Sequence, residues 1–135
     1  MSRILVTDDD LSIRMGIREF AEFQGCQVEL ASCGEEALQL CREQDFDLII
    51  LDIMMPGMDG YETYREIKKI KDIPALMLSA KNQEYDKLQG FELGIDDYVV
   101  KPFSIKELMA RVRVILSRNG NRKAAQEGVY EFQGL

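Results

Sequence analysis

Two short apolar runs, each followed or closed by aspartate, decide the fold: Arg3-Ile4-Leu5-Val6-Thr7-Asp8-Asp9-Asp10 and Asp47-Leu48-Ile49-Ile50-Leu51-Asp52. Continuous apolar runs of this length are typical of parallel strands that are buried on both faces. Open α/β sheets place their ligand sites at the carboxyl ends of such strands. The sequence therefore predicts that several carboxylates meet at one edge of a parallel sheet.

The rest of the chain alternates strand patterns with helix patterns. The predicted strands are Ile4–Thr7, Gln27–Ala31, Leu48–Leu51, Ala75–Leu78 and Tyr98–Val100. This alternation predicts an α/β fold with a five-stranded, doubly wound parallel sheet, flavodoxin-like (βα)5, in the strand order 2-1-3-4-5. The switch point of that order lies between the first and third strands, where Asp8, Asp9 and Asp52 stand.

Local signals set the expected ends of the helices. Asp10 is placed to cap the first helix, and capping boxes at Ser32–Glu35 and Ser104–Glu107 predict the starts of the second and the last. A helix is also expected from about Asn82 to Leu93. The predicted helices carry apolar stripes, among them Ile13, Ile17, Phe20 and Ala21 in the first and Ile105, Leu108, Val112 and Ile115 in the last.

Composition limits the classes of function. The chain has 135 residues, 46% of them hydrophobic and 30% charged, which is typical of a packed globular domain. Its net charge of -7 disfavours nucleic-acid binding by this segment alone. The chain has no histidine, which excludes His-based catalysis and His-ligated metals. Three cysteines without a C-x-x-C pair, and no apolar segment of membrane-spanning length, predict a reduced, cytoplasmic protein with no membrane contact.

A change in composition marks a domain boundary. Residues 1–118 form the predicted domain, and 119–135 are interpreted as a linker and the start of a missing C-terminal domain. Val129-Tyr130-Glu131-Phe132 alternates as a strand would but has no partner within the chain.

The converging aspartates predict a Mg²⁺ site, because carboxylate oxygens are the ligands that this hard cation prefers. Asp9 and Asp52, with a backbone carbonyl from Met54, make a plausible ligand set, and Asp8 lies beside them. A remaining oxygen of Asp52 is then placed to attack phosphorus as a nucleophile.

Residues after the fourth and fifth strands complete the predicted phosphoryl site. The Ser79 hydroxyl and the backbone N–H of Ala80 are placed to bind phosphoryl oxygens. Lys101 would neutralise negative charge there, and a cis Lys101–Pro102 bond would direct it inward.

Taken in order, these motifs resemble the response regulator receiver domain of two-component signalling over roughly residues 1–118. The matching elements are Asp8-Asp9, the run Leu51–Gly60, Ser79-Ala80 and the run Gly94–Phe103. The resemblance implies that Asp52 is the phosphoacceptor, that Asp8 and Asp9 hold Mg²⁺, and that a sensor histidine kinase is the donor. It also implies that Lys101 contacts the phosphoryl group, and that Ser79 and Tyr98 are switch residues.

The run from Asp96 to Leu108 is similar to the subfamily with winged-helix DNA-binding domains, the phosphate and osmolarity regulators. This similarity implies a homodimer formed on phosphorylation through the fourth helix, fifth strand and fifth helix. It also implies DNA binding only through the missing C-terminal domain. The residues that match this interface are Lys87, Glu92, Asp96, Asp97, Glu107, Arg111 and Arg113.

Two other functions fit parts of the pattern. An aspartate-nucleophile Mg²⁺ phosphatase of the haloacid dehalogenase type would use Asp8-x-Asp10, Ser79, Lys101 and Asp96-Asp97. That enzyme has its lysine before the Asp-Asp pair, whereas here the lysine follows it, and Asp52 would have no role. A flavodoxin-like FMN module is disfavoured because no phosphate loop follows the first strand and the carboxylates there would repel phosphate. The chain is therefore predicted to be a signalling domain rather than an enzyme.

Overall fold

The computed structural model describes residues 1–80 and 87–126, with side chains described for 1–80 and 88–118. The strands are β1 Arg3–Thr7, β2 Gln27–Ala31, β3 Leu48–Asp52, β4 Ala75–Ala80 and β5 Asp97–Lys101. The helices are α1 Leu11–Phe23, α2 Gly34–Glu43, α3 Gly60–Lys68, α4 Lys87–Leu93 and α5 Ile105–Gln126. Over this part of the chain the strands pair in parallel in the order β2-β1-β3-β4-β5, which confirms the predicted fold.

The sheet is apolar on both faces because helices cover both. One face carries Ile4, Ile50 and Leu78, which pack with residues of α1 and α5. The opposite face carries Leu5, Leu51 and Met77, which pack with residues of α2 and α3. All five residues of β3 are buried, so its run of apolar side chains has no solvent face. Each fully buried Leu or Ile contributes roughly 1.5–3 kcal/mol to folding, which accounts for the central position of β3.

Two of the three predicted caps are confirmed. The Asp10 carboxylate accepts hydrogen bonds from the backbone N–H groups of Ser12 at 2.8 Å and Ile13 at 3.4 Å. At the start of α5, Ser104 Oγ accepts from the backbone N–H of Glu107 at 3.3 Å. Each such cap satisfies backbone donors that the first helical turn leaves free.

The capping box predicted at Ser32–Glu35 is wrong by one residue. The cap position is Cys33, which makes no side-chain cap bond, and the backbone N–H of Ser32 donates instead to Glu36 Oε1 at 2.6 Å. The helix begins at Gly34. An added Cβ at this residue would lie 2.2 Å from Thr63 Oγ1 of α3, so the close approach of the two helices requires glycine here.

Helix α5 is longer than the sequence predicts. The clean apolar stripe ends near Ile115, yet the helix continues through the polar residues to Gln126. The last five residues of the helix, 122–126, are arginine, lysine, alanine and glutamine, which are good helix formers. No helix of the described chain, this one included, is long and apolar enough to cross a lipid bilayer. The predicted fourth helix is described only from Lys87, and residues 82–86 of that prediction lie outside the described part.

The three cysteines are free thiols, and they contribute to packing. Cys41 is fully buried in the cluster beneath α2, while Cys26 and Cys33 are half-buried. Burial raises the pKa of the Cys41 thiol to about 11 and also raises that of Cys26. Because only the thiolate is a good nucleophile or metal ligand, these two side chains act as small hydrophobic groups.

Candidate functional site

The carboxylates predicted to converge do so at the carboxyl edge of the sheet. Thr7 of β1 pairs with Leu51 of β3, so the residues that follow each lie side by side. One carboxylate oxygen from each of Asp8, Asp9 and Asp52 falls within a group of atoms that are all within 4.8 Å of one another. Asp8 and Asp52 are buried, whereas Asp9 is exposed. The cluster is therefore deep on one side and open to solvent on the other.

Lys101 reaches this cluster from the end of β5. Its Nζ atom lies 2.8 Å from Asp8 Oδ2 and 3.2 Å from Asp52 Oδ2, and 23% of its side chain is exposed. The Lys101–Pro102 peptide bond is cis. One ammonium group thus bridges the two buried carboxylates.

The electrostatics of the site follow from this crowding. Burial, followed by the negative charge of Asp8, raises the pKa of Asp52 to about 6, although Lys101 and the backbone N–H of Met54 oppose the rise. Burial lowers the pKa of Lys101, but close contact with Asp8 and the charges of both aspartates outweigh it, so its pKa is raised overall. The ammonium form of Lys101 is therefore firmly held beside two carboxylates that repel each other.

The donor set fits a divalent cation. Asp8 Oδ2 is buried and accepts no well-aligned hydrogen bond within the described residues, although Lys101 is its ion-pair partner. Within the described residues, Asp52 Oδ1 accepts one long bond, at 3.3 Å, from the backbone N–H of Met54. Three carboxylates with one lysine leave an excess of negative charge, and carboxylate oxygens are the ligands preferred by Mg²⁺. Met54 itself has an exposed side chain, so only its backbone bears on the site.

The loop after β1 is fixed by several contacts that sequence reasoning did not identify. Asp8 donates its N–H to Ala31 O at 3.2 Å, and its Oδ1 accepts from the N–H of Asp10 at 2.9 Å. A third contact is from Arg14, whose Nη1 donates to Asp8 O at 2.6 Å. Nothing in the sequence indicates that the side chain of an arginine in the first turns of a helix contacts the loop before that helix.

Ser79 and Ala80 are the last two residues of β4 rather than the first two after it. Leu78 pairs with Asp52, and Ala80 pairs with Lys101, so this end of β4 lies between the acidic cluster and the lysine. Ser79 is 2% exposed. Ser79 is therefore a buried residue at the carboxyl end of β4, beside the acidic cluster.

Tyr98 is half-buried and is directed beneath α4. Its hydroxyl lies 2.9 Å from the hydroxyl of Tyr61, a buried residue in the first turn of α3. Its ring packs edge-on against Phe91, with centroids 5.3 Å apart. Sequence reasoning identified Tyr98 but missed Tyr61, because the strand and helix patterns do not show which side chains meet between layers.

The predicted interface residues divide into two groups. Arg111 Nη1 lies 2.9 Å from Asp97 Oδ2, and its Nη2 lies 3.5 Å from Glu107 Oε2, so these three cluster on the β5–α5 surface. Arg113 is elsewhere: its Nη1 donates to Gln24 Oε1 at the end of α1, at 3.0 Å. Two residues along a helix turn the side chain by about 200°, which accounts for the separation.

The other three predicted interface residues lie in different environments. Asp96 Oδ2 accepts a hydrogen bond from the N–H of Ala75 at 3.1 Å, so it also fixes the start of β4. Glu92 is exposed on α4. Lys87 begins the described part of α4, and its side chain lies outside what the structure describes.

Known proteins share both the sequence and the fold. Residues 4–113 match the family described as the response regulator receiver domain. Transcriptional regulatory protein ResD of Bacillus subtilis (strain 168) is 45% identical over 117 residues, which cover 87% of this chain and 49% of ResD. The CpxR homolog of Haemophilus influenzae is 41% identical over 137 residues, covering 100% of this chain and 60% of that protein. The receiver domain of the Francisella response regulator 1452 superimposes with a TM-score of 0.80 at 37% identity, covering 88% of this chain and 99% of that one.

These matches agree with the motifs and with the geometry of the site. The chain spans about half the length of ResD, which is a transcriptional regulator. The family match covers nearly all of the sheet and the helices around it. The chain therefore belongs to the response regulator receiver domain family.

Proposed function

We propose that this receiver domain accepts a phosphoryl group on Asp52 from the phosphohistidine of a sensor histidine kinase. The observation that carries the proposal is the convergence of Asp8, Asp9 and Asp52, with Lys101 bridging two of them. An oxygen of Asp52 forms a bond to phosphorus as the phosphorus–nitrogen bond of the donor breaks. The electron pair of that bond leaves with the imidazole ring.

Mg²⁺ held by Asp8, Asp9, Asp52 and the carbonyl of Met54 would supply positive charge to the transferring phosphoryl oxygens. The remaining interactions with the phosphoryl group would come from the chain's own residues. Lys101 keeps its charge because the pKa of its ammonium group is raised, so it remains available to a phosphoryl oxygen. The backbone N–H of Ala80 and the hydroxyl of Ser79 supply hydrogen bonds at the adjacent end of β4.

The proposal extends to the response of the domain. A bond from Ser79 to the new phosphoryl group would alter the space available to Tyr98 and so bias a two-state surface on α4, β5 and α5. Charged residues on this surface would then set the register of a homodimer, in line with the cluster of Asp97, Glu107 and Arg111. We also include Lys87, Glu92, Asp96 and Arg113 in this proposal.

The role in transcription is also proposed. ResD and the CpxR homolog are transcriptional regulators, and this chain covers 49% and 60% of their lengths, respectively. We infer that residues 119–135 lead toward a DNA-binding domain, which receives the dimer signal and binds paired half-sites. Such a protein would work in the cytoplasm, with DNA contact confined to that further domain and no membrane contact.

Intact mass after incubation with acetyl phosphate and Mg²⁺ tests the central step. The parent chain should gain one phosphoryl group, and Asp52→Asn should gain none. Asp10→Asn serves as the matched control, because asparagine caps α1 as well as aspartate and the adduct should persist. Omitting Mg²⁺ should abolish the adduct.

Two results would contradict this proposal. An adduct that survives in Asp52→Asn would identify another nucleophile, such as Asp8. Repeated turnover of a generic phosphate ester, with no stable adduct, would favour the aspartate-nucleophile phosphatase instead.

A further inference from the structure

The hydroxyl groups of Tyr61 and Tyr98 share a hydrogen bond of 2.9 Å. Tyr61 is 6% exposed and belongs to the core cluster between the sheet and α3, so its hydroxyl position is fixed by packing. Tyr98, on β5, packs against that same cluster but is itself only partly buried. The well-packed tyrosine thus provides a fixed polar partner for the less constrained one.

Helix α4 is shaped to admit this pair. A Cβ added at Gly90 would lie 1.8 Å from the Tyr98 hydroxyl and 2.9 Å from Cε1 of Tyr61. Both distances are far shorter than carbon makes in van der Waals contact, so any side chain at this position would displace the ring of Tyr98. Gly90 is buried on the inner side of the helix, and the neighbouring Phe91 closes over Tyr98 edge-on, at an interplanar angle of 79°.

We propose that Tyr61 and Gly90 are positioning residues that hold Tyr98 in its inward conformation beneath α4. Tyr61 acts through the hydroxyl bond, and Gly90 acts by leaving space for it. The balance between inward and outward Tyr98 is then set by α3 and α4 as well as by Ser79. This inference rests on the proposed function, because it concerns the residue assigned there as the switch aromatic.

The consequence is a definite bias in a two-state equilibrium. A hydroxyl bond made only in the inward conformation favours that conformation by its net strength, which corresponds to about fivefold in population. A methyl group in the space beside Gly90 would act in the opposite direction and more strongly, because it is incompatible with the inward ring. If the inward form is the one that dimerises, loss of the hydroxyl bond and addition of the methyl group each weaken the dimer.

The test uses two variants with matched controls. Tyr61→Phe removes the hydroxyl and keeps the ring, while Gly90→Ala adds one methyl group. Tyr64→Phe is the control for the first, because it removes another buried hydroxyl of α3, which donates to Ile73 O at 2.7 Å. Gly16→Ala is the control for the second, because a Cβ there would lie 3.9 Å from Ile105 Cδ1, an ordinary contact.

Two measurements are made on each protein. Three-bond NMR couplings report the side-chain rotamer populations of Tyr98, assigned by comparison with Tyr98→Phe. Sedimentation in the presence of beryllofluoride, a phosphoryl mimic, gives the dimer dissociation constant. In Tyr61→Phe we expect the outward-to-inward ratio to rise by about fivefold and the dissociation constant to rise with it, because both protomers of a dimer must have Tyr98 inward. Gly90→Ala should shift both further, and the two controls should match the parent.

The outcomes separate this inference from the proposed function. Unchanged Tyr98 rotamers in Tyr61→Phe would overturn the inference, even if Asp52 is phosphorylated normally. Tyr64→Phe or Gly16→Ala shifting the rotamers as much would also overturn it, since the effect would then be general loosening. A shifted rotamer with an unchanged dimer constant would support the positioning role and contradict the proposed link from Tyr98 to dimerisation. Loss of folding in Gly90→Ala leaves Tyr61→Phe to decide.

Discussion

Lys101 and Asp8 form an ion pair of 2.8 Å, although β3 and β4 separate their strands in the sheet. The pair spans the carboxyl edge, and Asp52 lies on the path between its two ends, 3.2 Å from the same nitrogen. A single positive charge therefore compensates two buried negative charges, and this imbalance has consequences for stability as well as for chemistry.

Replacing the lysine should destabilise the protein. Lys101→Met leaves Asp8 and Asp52 buried without their counter-charge, a change that should lower the free energy of unfolding by on the order of 2 kcal/mol at neutral pH. Urea unfolding measures this directly. Lys106→Met, at an exposed position of α5, is the control and should have little effect. An equal loss in both variants would show that the ion pairs of Lys101 contribute nothing particular.

The raised pKa of Asp52 predicts an unusual pH dependence. Because its pKa is about 6 in the folded chain and 3.8 when unperturbed, the folded state binds more protons between these values. The stability contributed by the protonated form is fully present below the lower pKa and is lost as the pH rises through about 6.

Asp52→Asn should remove this dependence. In metal-free buffer near neutral pH, the variant should be more stable than the parent, by up to about 3 kcal/mol if the whole shift is realised. The difference should shrink toward about pH 4. Urea unfolding across this range in EDTA is the measurement. Parallel stability curves for the two proteins would show that Asp52 has an ordinary pKa in the folded chain.

A divalent cation should stabilise the folded form by binding between the carboxylates. About 10 mM Mg²⁺ should raise the melting temperature by roughly 2–5 °C for a site with a millimolar dissociation constant. Asp9→Asn should reduce the shift, and Asp10→Asn should retain it, because Asp10 caps α1. Potassium chloride at matched ionic strength controls for screening. An unchanged melting curve in Mg²⁺ would contradict the proposed metal site.

Thr7 offers a route to higher stability. Its side chain is fully buried, and Oγ1 has no hydrogen-bond partner within the described residues. Thr7→Val keeps the shape and removes the buried polar atom, so stability should rise by about 1 kcal/mol. Thr63→Val is the matched control, since Thr63 Oγ1 donates to Asp59 O at 2.7 Å and its loss should destabilise by a similar amount. Destabilisation in both would show that Thr7 has a polar partner in solution.

The two arginines of α5 should differ in their effect on assembly. Arg111→Glu should weaken the dimer formed with beryllofluoride, because it reverses a charge beside Asp97 and Glu107. Arg113→Glu should weaken it less, because this side chain donates to Gln24 on the α1 side. Sedimentation equilibrium on both variants measures the difference. Equal dimer constants in Arg111→Glu and the parent would sink the assignment of this interface.

The architecture was predictable from local patterns. Ile4–Val6 and Leu48–Leu51 are apolar throughout, which is typical of a parallel sheet covered on both faces, and parallel strands bring their carboxyl ends together. The convergence of Asp8, Asp9 and Asp52 follows from that topology alone. The Asp10 cap was equally local, because a cap depends on residues two or three positions away.

Features that depend on how layers pack were not predictable in this way. The contact between Tyr61 and Tyr98 joins residues 37 positions apart, and it depends on the rotation of α3 relative to β5. The close packing of Gly34, at the start of α2, against Thr63 of α3 is likewise a contact that no local motif reveals. The orientation of Arg113 likewise depends on the phase of α5, which the apolar stripe gives only to within about one residue.

The uneven exposure of the acidic cluster affects how fast a cation could bind and dissociate. Asp9 faces solvent while Asp8 and Asp52 are enclosed, so an ion can enter and leave on the Asp9 side while the sheet stays folded. Lys101 already balances part of the buried charge. A cation bound here would exchange readily with the surrounding solution, so its occupancy would follow the concentration of free ion around the protein.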